Sequence, residues 1–268
     1  MKTHKISSII FDMDGVLWKE NSQIADISKV FRILEQYSIS YVFATNNSTK
    51  SPLDYVTKIN GFGGKSSINQ IVTSATVLAK KMSEKYPKGG PVYIVGEPGL
   101  HEILEGYGFY HKNSNVLAVA GGLNRKVTYQ QLAKATLLLN SGADFFFTNI
   151  DPSYPSTSGD IPGAGAILSF LETASGKKAL TFGKPKPYMF EEALRILNVD
   201  HSHTIVVGDR LETDILGGLN AKCHTALLLS GISTLQNIDE THIQPDLVCA
   251  DLDTFIITMT TNNWEMHE

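Results

Sequence analysis

The 268-residue chain lacks the features that mark several large classes of protein. It has only two cysteines, Cys223 and Cys249, and neither lies in a Cys-x-x-Cys pattern or beside histidines at zinc-ligand spacing. A zinc site is therefore not expected, and two buried free thiols are the simplest interpretation. No apolar run is long enough to span a bilayer, so we expect no membrane-spanning segment.

An excess of basic charge is also absent, since the formal net charge is -4 at pH 7. Proteins that bind the phosphate backbone concentrate basic residues, so no nucleic-acid partner is expected. A small phosphorylated substrate remains compatible, because a few local cations can hold it. The basic N-terminus precedes the apolar run Ile9-Ile10-Phe11, which is too short for a signal peptide and is interrupted by Asp12 and Asp14. We therefore expect a cytoplasmic protein.

What the chain does contain is a repeated alternation of short apolar runs with helical patterns. Hydrophobic residues make up 42% of the sequence and charged residues 19%, as in packed globular domains. The pattern predicts strands over residues 6–11, 41–44, 92–95, 116–120, 144–147, 179–182, 204–207, 225–229 and 247–250. It predicts helices over residues 28–37, from about 52, over 129–140, from 162–165 to about 173, and over 188–197.

Strands that alternate with helices indicate an α/β fold with a doubly wound, Rossmann-like parallel sheet. The number of strand–helix units exceeds what one compact sheet needs. No linker rich in Pro or Ser divides the chain, so we expect a second domain that is inserted rather than appended.

Two aspartates follow the first predicted strand in the run Asp12-Met13-Asp14-Gly15. Alternate residues of an extended chain point to the same side, so both carboxyl groups can face one crevice. One carboxylate can attack phosphorus and form an aspartyl-phosphate, while a second can protonate the leaving oxygen and later deprotonate water. Gly15 allows a sharp turn after the pair. Taken alone, this run could also be an ordinary turn.

A hydroxyl and an ammonium group follow two further predicted strands. Thr45, with the backbone amides of Asn46 and Asn47, can bind phosphate oxygens. Lys184, in a turn bounded by Gly and Pro, can act as a point charge on phosphate, and Lys186 is the obvious alternative.

Another pair of carboxylates, Asp209 and Asp214, follows the predicted strand 204–207. Magnesium prefers oxygen ligands, and Asp12 and Asp209 can supply them from two neighbouring strand ends. Asp214 can hold a metal-bound water or orient Lys184, and it can instead be a helix N-cap ahead of Ile215-Leu216.

Together these motifs resemble the haloacid dehalogenase superfamily, in particular its NagD-like, para-nitrophenylphosphatase-like branch. The resemblance rests on the motifs Asp12-Met13-Asp14-Gly15-Val16-Leu17, Ala44-Thr45-Asn46-Asn47-Ser48, Gly96-Glu97-x-Gly99-Leu100, Tyr154-Pro155, Pro162-Gly163-Ala164-Gly165, Gly183-Lys184-Pro185 and the run from Gly208-Asp209-Arg210 to Gly218. These motifs extend over nearly the whole chain.

The resemblance implies a role for each residue at the site. Asp12 would be the nucleophile and a Mg²⁺ ligand, and Asp14 would be the general acid and base and would offer its backbone carbonyl to the metal. Thr45 and Lys184 would hold the phosphoryl group, Asp209 would ligate Mg²⁺, and Asp214 would support the site. The implied organisation is a catalytic core over residues 1–79 and 182–268, with an α/β cap inserted over residues 80–181.

Three segments depart from the family pattern. Trp18-Lys19-Glu20 stands where Tyr-Arg-Gly is usual, Ile150 replaces the proline of Thr-Asn-Pro-Asp over residues 148–151, and Asn124 replaces the aspartate of Gly-Leu-Asp. We interpret these positions as flanking the substrate side, where they affect the preference for a leaving group and not the reaction.

The leading hypothesis is a magnesium-dependent phosphatase for small phosphomonoesters of the nucleotide, sugar phosphate, phosphoglycolate or para-nitrophenyl phosphate type. Alternatives are a phosphotransferase or mutase of the same superfamily, or a phosphate-binding module without catalysis. A dinucleotide-binding oxidoreductase is disfavoured, because Asp12-Met13-Asp14-Gly15 stands where Gly-x-Gly-x-x-Gly is needed. A homodimer is the working expectation for the assembly.

Overall fold

The computed structural model describes residues 3–156 and 159–267 and divides into two compact units. The first unit comprises residues 1–45, 53–72 and 184–268, and the second comprises residues 46–52 and 73–183. Residues 46–52, 73–79 and 182–183 therefore belong to the second unit, whereas they were predicted from the sequence to lie in the core. The predicted ranges also include residues 1–2, 157–158 and 268, which lie outside the described part of the chain.

A six-stranded sheet forms the centre of the first unit. Its strands, in spatial order, are Leu247–Cys249, His224–Leu228, Thr204–Gly208, Ser8–Phe11, Ser40–Thr45 and Ile71–Thr73. The four pairings among the first five strands are parallel. Every residue of Ser8–Phe11 and of Thr204–Gly208 is buried, as expected for central strands covered on both faces.

Helices and short antiparallel pairs complete the first unit. The α-helices are Ile27–Gln36, Pro52–Gly61, Tyr188–Leu197, Leu216–Asn220, Leu235–Thr241 and Leu252–Thr261, with a π-helical turn over Leu211–Ile215 and 3₁₀ turns over Ile68–Gln70 and His201–His203. Asp26 caps the first of these helices by accepting a hydrogen bond from the Lys29 amide. Thr3–Lys5 pairs with Glu265–His267, and Trp18–Lys19 pairs with Ser22–Gln23.

The second unit has its own parallel sheet of five strands. In spatial order these are Leu180–Thr181, Asp144–Phe147, Ala118–Gly121, Gly90–Val95 and Phe109–His111. The helices are Ser74–Lys85, Pro98–Gly106, Tyr129–Asn140 and Ala164–Ser175, and Ser153–Ser156 pairs with Gly159–Pro162 in an antiparallel hairpin. A separate hydrophobic cluster, which includes Phe147 and Leu171, forms its core.

These two parallel sheets confirm the predicted α/β fold class. In the part of the chain that the structure describes, no helix combines the length and the hydropathy needed to cross a bilayer.

Candidate active site

Two of the predicted carboxylates lie side by side at the carboxyl edge of the first sheet. Phe11 is in register with Val207 on the adjacent parallel strand, and the Asp12 amide donates to the Val207 carbonyl at 2.8 Å. Asp12 and Asp209 therefore leave neighbouring strands at the same edge, where ligands bind in open α/β sheets. Thr45 ends the strand on the other side of Ser8–Phe11 and is buried.

The Lys184 ammonium connects these strand ends. Its Nζ donates to Asp12 Oδ1 at 2.6 Å, to Asp214 Oδ1 at 2.6 Å and to the Ala44 carbonyl at 2.9 Å. The Lys184 side chain is only 4% exposed. One buried cation thus fixes an oxygen on each of two carboxylates and lies against the residue before Thr45.

Lys184 follows a short strand, as predicted from the sequence. The strand that precedes it, Leu180–Thr181, pairs with Asp144–Phe147 and belongs to the sheet of the second unit. Lys184 itself belongs to the first unit and lies in the turn before the helix Tyr188–Leu197. An apolar run predicts a strand, but it does not specify in which sheet that strand lies.

Asp12, Asp209 and Asp214 form an acidic cluster whose oxygens lie within 4.8 Å of one another, the one group of this kind among the described residues. Two glycines make room for Asp209: a Cβ at Gly15 would lie 2.2 Å from Asp209 Oδ2, and one at Gly231 would lie 1.8 Å from the same oxygen. The Ile232 amide donates to that oxygen at 2.9 Å. Three carboxylates without bulky neighbours are a donor set that suits a hard divalent cation such as Mg²⁺.

The electrostatics of the cluster support this assignment. Burial raises the pKa of Asp12 well above its usual range, Lys184 opposes that rise, and the carboxylates of Asp214 and Asp209 add to it. Burial and Asp214 raise the pKa of Asp209 to about 7. Burial disfavours the Lys184 ammonium, but Asp12 and Asp214 outweigh it and raise its pKa. One lysine faces three buried carboxylates, so a divalent cation fits the remaining charge.

Asp214 is not the predicted N-cap. It lies inside the π-helical turn Leu211–Ile215, and Ile215, without a side-chain cap bond, precedes the helix Leu216–Asn220. Its Oδ2 accepts from the Arg210 amide at 3.1 Å while Oδ1 accepts from Lys184. These contacts are those of a residue that orients the lysine, which was the other expectation.

Tyr55 belongs to the site but was not predicted from the sequence. It lies on the helix Pro52–Gly61, is 2% exposed, and shares a hydrogen bond with the side chain of Thr45. Burial raises the pKa of the Tyr55 phenol well above its usual range, and Asp14 and Asp12 add to the effect. Tyr55 is therefore a neutral phenol that holds the Thr45 hydroxyl. Its position inside an amphipathic helix gave no signal beyond that of a core residue.

Asp14 has an exposed side chain, unlike the other aspartates of the site. Its Oδ1 accepts a hydrogen bond from Trp18 Nε1 at 2.8 Å. Trp18 thus contacts a predicted catalytic residue, although the Trp18-Lys19-Glu20 segment was predicted to flank the substrate side. The departure from the family pattern at this position was the signal that could have identified it.

Asn46 and Asn47 follow Thr45 directly in the chain but belong to the second unit. Asn46 Nδ2 donates to Asp151 Oδ2 at 2.7 Å, and Ser74 Oγ donates to the Asn46 carbonyl at 2.6 Å. Asn47 Oδ1 accepts from the amide and the hydroxyl of Thr49. Both side chains are therefore engaged in local structure, and the predicted role of their backbone amides stays a prediction.

Two segments of the sequence match models of hydrolase families. Residues 9–110 match the family Haloacid dehalogenase-like hydrolase, and residues 181–255 match the family HAD-hydrolase-like. These segments include Asp12, Asp14, Thr45, Lys184, Asp209 and Asp214.

Relatives with assigned names match over almost the whole chain. An acid sugar phosphatase of Staphylococcus saprophyticus is 35% identical over 96% of this chain and 98% of its own. The crystal structure of 4-nitrophenylphosphatase from Thermotoga maritima has a TM-score of 0.89 at 30% identity, covering 94% of this chain and 97% of its own. That of glycerol phosphate phosphatase from Mycobacterium tuberculosis in complex with magnesium has a TM-score of 0.84 at 27% identity, covering 93% and 76%.

Proposed function

The chain belongs to the haloacid dehalogenase-like hydrolase family, and we propose that it is a phosphatase of the NagD-like branch that hydrolyses small phosphomonoesters with Mg²⁺. The observation that carries the proposal is the Lys184 ammonium, which binds Asp12 Oδ1 and Asp214 Oδ1 beside the acidic cluster. The three relatives named above are all phosphatases, in keeping with a phosphoric monoester hydrolase.

In the first step an Asp12 carboxylate oxygen attacks phosphorus in line with the leaving oxygen. A bond forms between Asp12 and phosphorus, the bond from phosphorus to the leaving oxygen breaks, and Asp14 donates its proton to that oxygen. Lys184 and the Thr45 hydroxyl hold the phosphoryl oxygens, and Lys184 also fixes the orientation of Asp12. The product is an alcohol and an aspartyl-phosphate.

In the second step Asp14, now a carboxylate, takes a proton from water as the water oxygen attacks phosphorus. The bond between phosphorus and Asp12 breaks, inorganic phosphate leaves, and both aspartates return to their starting states. Asp12 and Asp209, with the Asp14 carbonyl, would hold the metal ion, and Asp214 would support them. When bound, Mg²⁺ supplies positive charge that offsets the negative charge of the transferring phosphoryl group.

The proposed substrates are small esters, because the relatives are named for sugar, glycerol and 4-nitrophenyl phosphates. A screen of sugar phosphates, nucleoside monophosphates and phosphoglycolate with Mg²⁺ present would rank them by kcat/KM. We propose that residues 80–181, within the second unit, form the cap that selects among these esters. The cytoplasmic location and the homodimer stay predictions.

Phosphate release from 4-nitrophenyl phosphate tests the proposal directly. The purified protein with Mg²⁺ should release phosphate, and Asp12→Asn should lower kcat by at least about 1,000-fold because the nucleophile is lost. Asp12→Asn also removes a buried negative charge, so it should fold at least as stably as the wild type in urea. Turnover that is absent in the wild type, or unchanged in Asp12→Asn, would contradict the mechanism.

A further inference from the structure

The two tryptophans of the chain differ in what their indole N–H groups contact. Both side chains are buried, Trp18 with 0% exposure and Trp264 with 1%. Trp18 Nε1 donates to Asp14 Oδ1 at 2.8 Å, whereas Trp264 Nε1 has no hydrogen-bond partner. A buried donor directed at the one exposed aspartate of the site is more than core packing requires.

The backbone of the catalytic turn itself fixes the position of this indole. The Gly15 amide donates to the Trp18 carbonyl at 2.7 Å, and the Leu17 amide donates to the Met13 carbonyl at 2.9 Å. Asp14 and Trp18 are therefore the two ends of one closed turn. Gly15 adopts a φ of +84°, a conformation that glycine tolerates without strain.

A cation also holds the indole ring from its face. Lys58 Nζ lies 4.0 Å from the centroid of the Trp18 ring and donates to the Glu20 carbonyl at 2.6 Å. Phe62 packs against the same ring, with 6.1 Å between centroids. Contacts of this kind restrict ring rotation, so the N–H direction is set before any substrate binds.

From this geometry we propose that Trp18 is a positioning residue, which holds the Asp14 carboxyl group in the orientation needed for proton transfer. The proposal rests on the proposed function, in which Asp14 is the general acid and base. Indole N–H only donates, and the carbonyl oxygen of a carboxylic acid is a better acceptor than its hydroxyl oxygen, so the bond from Trp18 to Oδ1 favours the proton on Oδ2. The proton is therefore carried by Oδ2, the oxygen that passes it to the leaving group.

The proton balance follows from this assignment. In the first step the proton leaves Oδ2 for the leaving oxygen while the bond from phosphorus to that oxygen breaks. In the second step Oδ2 takes a proton from the attacking water. Trp18 keeps its own proton throughout, so it contributes geometry and not acid–base chemistry.

Leaving groups of different basicity separate positioning from a general structural role. Phenyl phosphate and 4-nitrophenyl phosphate share the phenyl ring but differ in the basicity of the leaving group. Because 4-nitrophenolate is a much weaker base than phenolate, it depends far less on protonation as it leaves. The parameter kcat/KM reports the first step, in which Asp14 acts as an acid. A misplaced acid should therefore slow hydrolysis of phenyl phosphate more than that of 4-nitrophenyl phosphate.

The experiment compares Trp18→Phe with Trp264→Phe, which removes the same atoms from an equally buried indole. Trp18→Phe should lower kcat/KM for phenyl phosphate by about tenfold or more and for 4-nitrophenyl phosphate by less than about threefold. Trp264→Phe should leave the ratio of the two values unchanged. Trp18→Tyr, with the residue usual in the family, restores a donor and should recover part of the loss.

An equal loss on both esters, or no loss, would overturn the role of Trp18 and leave the phosphatase assignment intact. Absence of turnover in the wild type would instead overturn the proposed function, and the inference with it. A second measurement does not depend on folding of Trp18→Phe: in Trp264→Phe, Trp18 is the sole tryptophan. Adding Asp14→Ala should shift its fluorescence maximum, and an unchanged maximum would refute the contact.

Discussion

The two parallel sheets of the molecule differ in the side chains that follow the strands at their carboxyl edges. At the carboxyl edge of the first sheet, Asp12 and Asp209 follow buried strands and gather around the Lys184 ammonium with Asp214. At the carboxyl edge of the second sheet, the strand Asp144–Phe147 leads into neutral residues, Thr148 and Asn149. The fold supplies the edge in both cases, but among the described residues the cluster of three carboxylates that can hold a metal ion lies at the first edge.

The polar side chains that follow the strand Asp144–Phe147 bond to one another. Thr148 Oγ1 donates to Asn149 Oδ1 at 2.7 Å, and Asn149 Nδ2 donates to Asp151 Oδ2 at 2.5 Å. Asp151 Oδ2 also accepts from Asn46 Nδ2. This chain of bonds ends on the single, partly buried carboxylate of Asp151, so we interpret it as structural. The contrast predicts that removal of a charged side chain strongly affects stability and Mg²⁺ binding at the first edge and affects them little at the second.

Loss of the Lys184 charge should have the largest effect on stability. Lys184→Met would leave the buried Asp12 and Asp214 carboxylates without their shared cation, at a cost of about 3–5 kcal/mol in the free energy of unfolding. Urea unfolding measures this, and a second change, Asp214→Asn, should restore part of the loss. Lys186→Met, at an exposed position in the same turn, is the control and should change stability by less than about 0.5 kcal/mol. Equal losses in the free energy of unfolding for Lys184→Met and Lys186→Met would show that the buried lysine charge contributes no more to stability than an exposed one.

Binding of Mg²⁺ should give the next largest effect, measured without substrate. At an Mg²⁺ concentration 100 times the Kd, the folded protein should gain about 2.7 kcal/mol, seen as a higher urea midpoint. Asp209→Asn should abolish this gain, because it removes one carboxylate of the acidic cluster. Asp151→Asn makes the same chemical change at the second edge and should retain the full gain. A gain that survives in Asp209→Asn would place the metal elsewhere.

Asp151→Ala should have the smallest effect of the three. It removes the acceptor that Asn46 and Asn149 share, which should lower the free energy of unfolding by about 1–2 kcal/mol. Asp151→Asn keeps an acceptor oxygen and should recover most of that loss, with kcat for 4-nitrophenyl phosphate near the wild-type value. A large loss of kcat in Asp151→Asn at unchanged stability would show that this carboxylate takes part in the reaction. It would contradict the interpretation of the second edge as structural.

Strand and helix positions followed from the sequence where burial alone decides them. The predicted strand 144–147 and the predicted helices 129–140 and 188–197 match the structure at both ends. The helix Ser74–Lys85 and the strand Phe109–His111 were missed. The first has a broad mixed surface with only a weak apolar face, and two of the three residues in the second are exposed, so neither produces a strong periodic pattern.

The charged residues of the site were predictable from the sequence, but the aromatic residues that hold them in place were less so. Asp12, Lys184, Asp209 and Asp214 stood out because charged residues rarely follow buried strands or glycine turns without a reason. Tyr55 did not, because a buried aromatic side chain in the sequence looks the same whether or not its polar tip reaches a catalytic group, and Trp18 stood out only as a departure from the family pattern. Which sheet precedes Lys184 depends on strand pairing across the second unit, and pairing is a long-range property that local patterns do not encode.

Gly15 and Gly231, which lie against the Asp209 side chain, show that the choice of residue is constrained at positions that carry no reactive group. Gly15 and Gly231 contribute no charge and no hydrogen-bonding side chain, yet any other residue at either position would place a carbon atom against Asp209 Oδ2. Every codon change that replaces either glycine introduces such an atom, so these two positions have no conservative substitute, whereas an aspartate can at least be exchanged for an asparagine of the same shape. The space around the Asp209 carboxylate therefore constrains the choice of residue at these positions as strictly as the reaction constrains Asp209 itself.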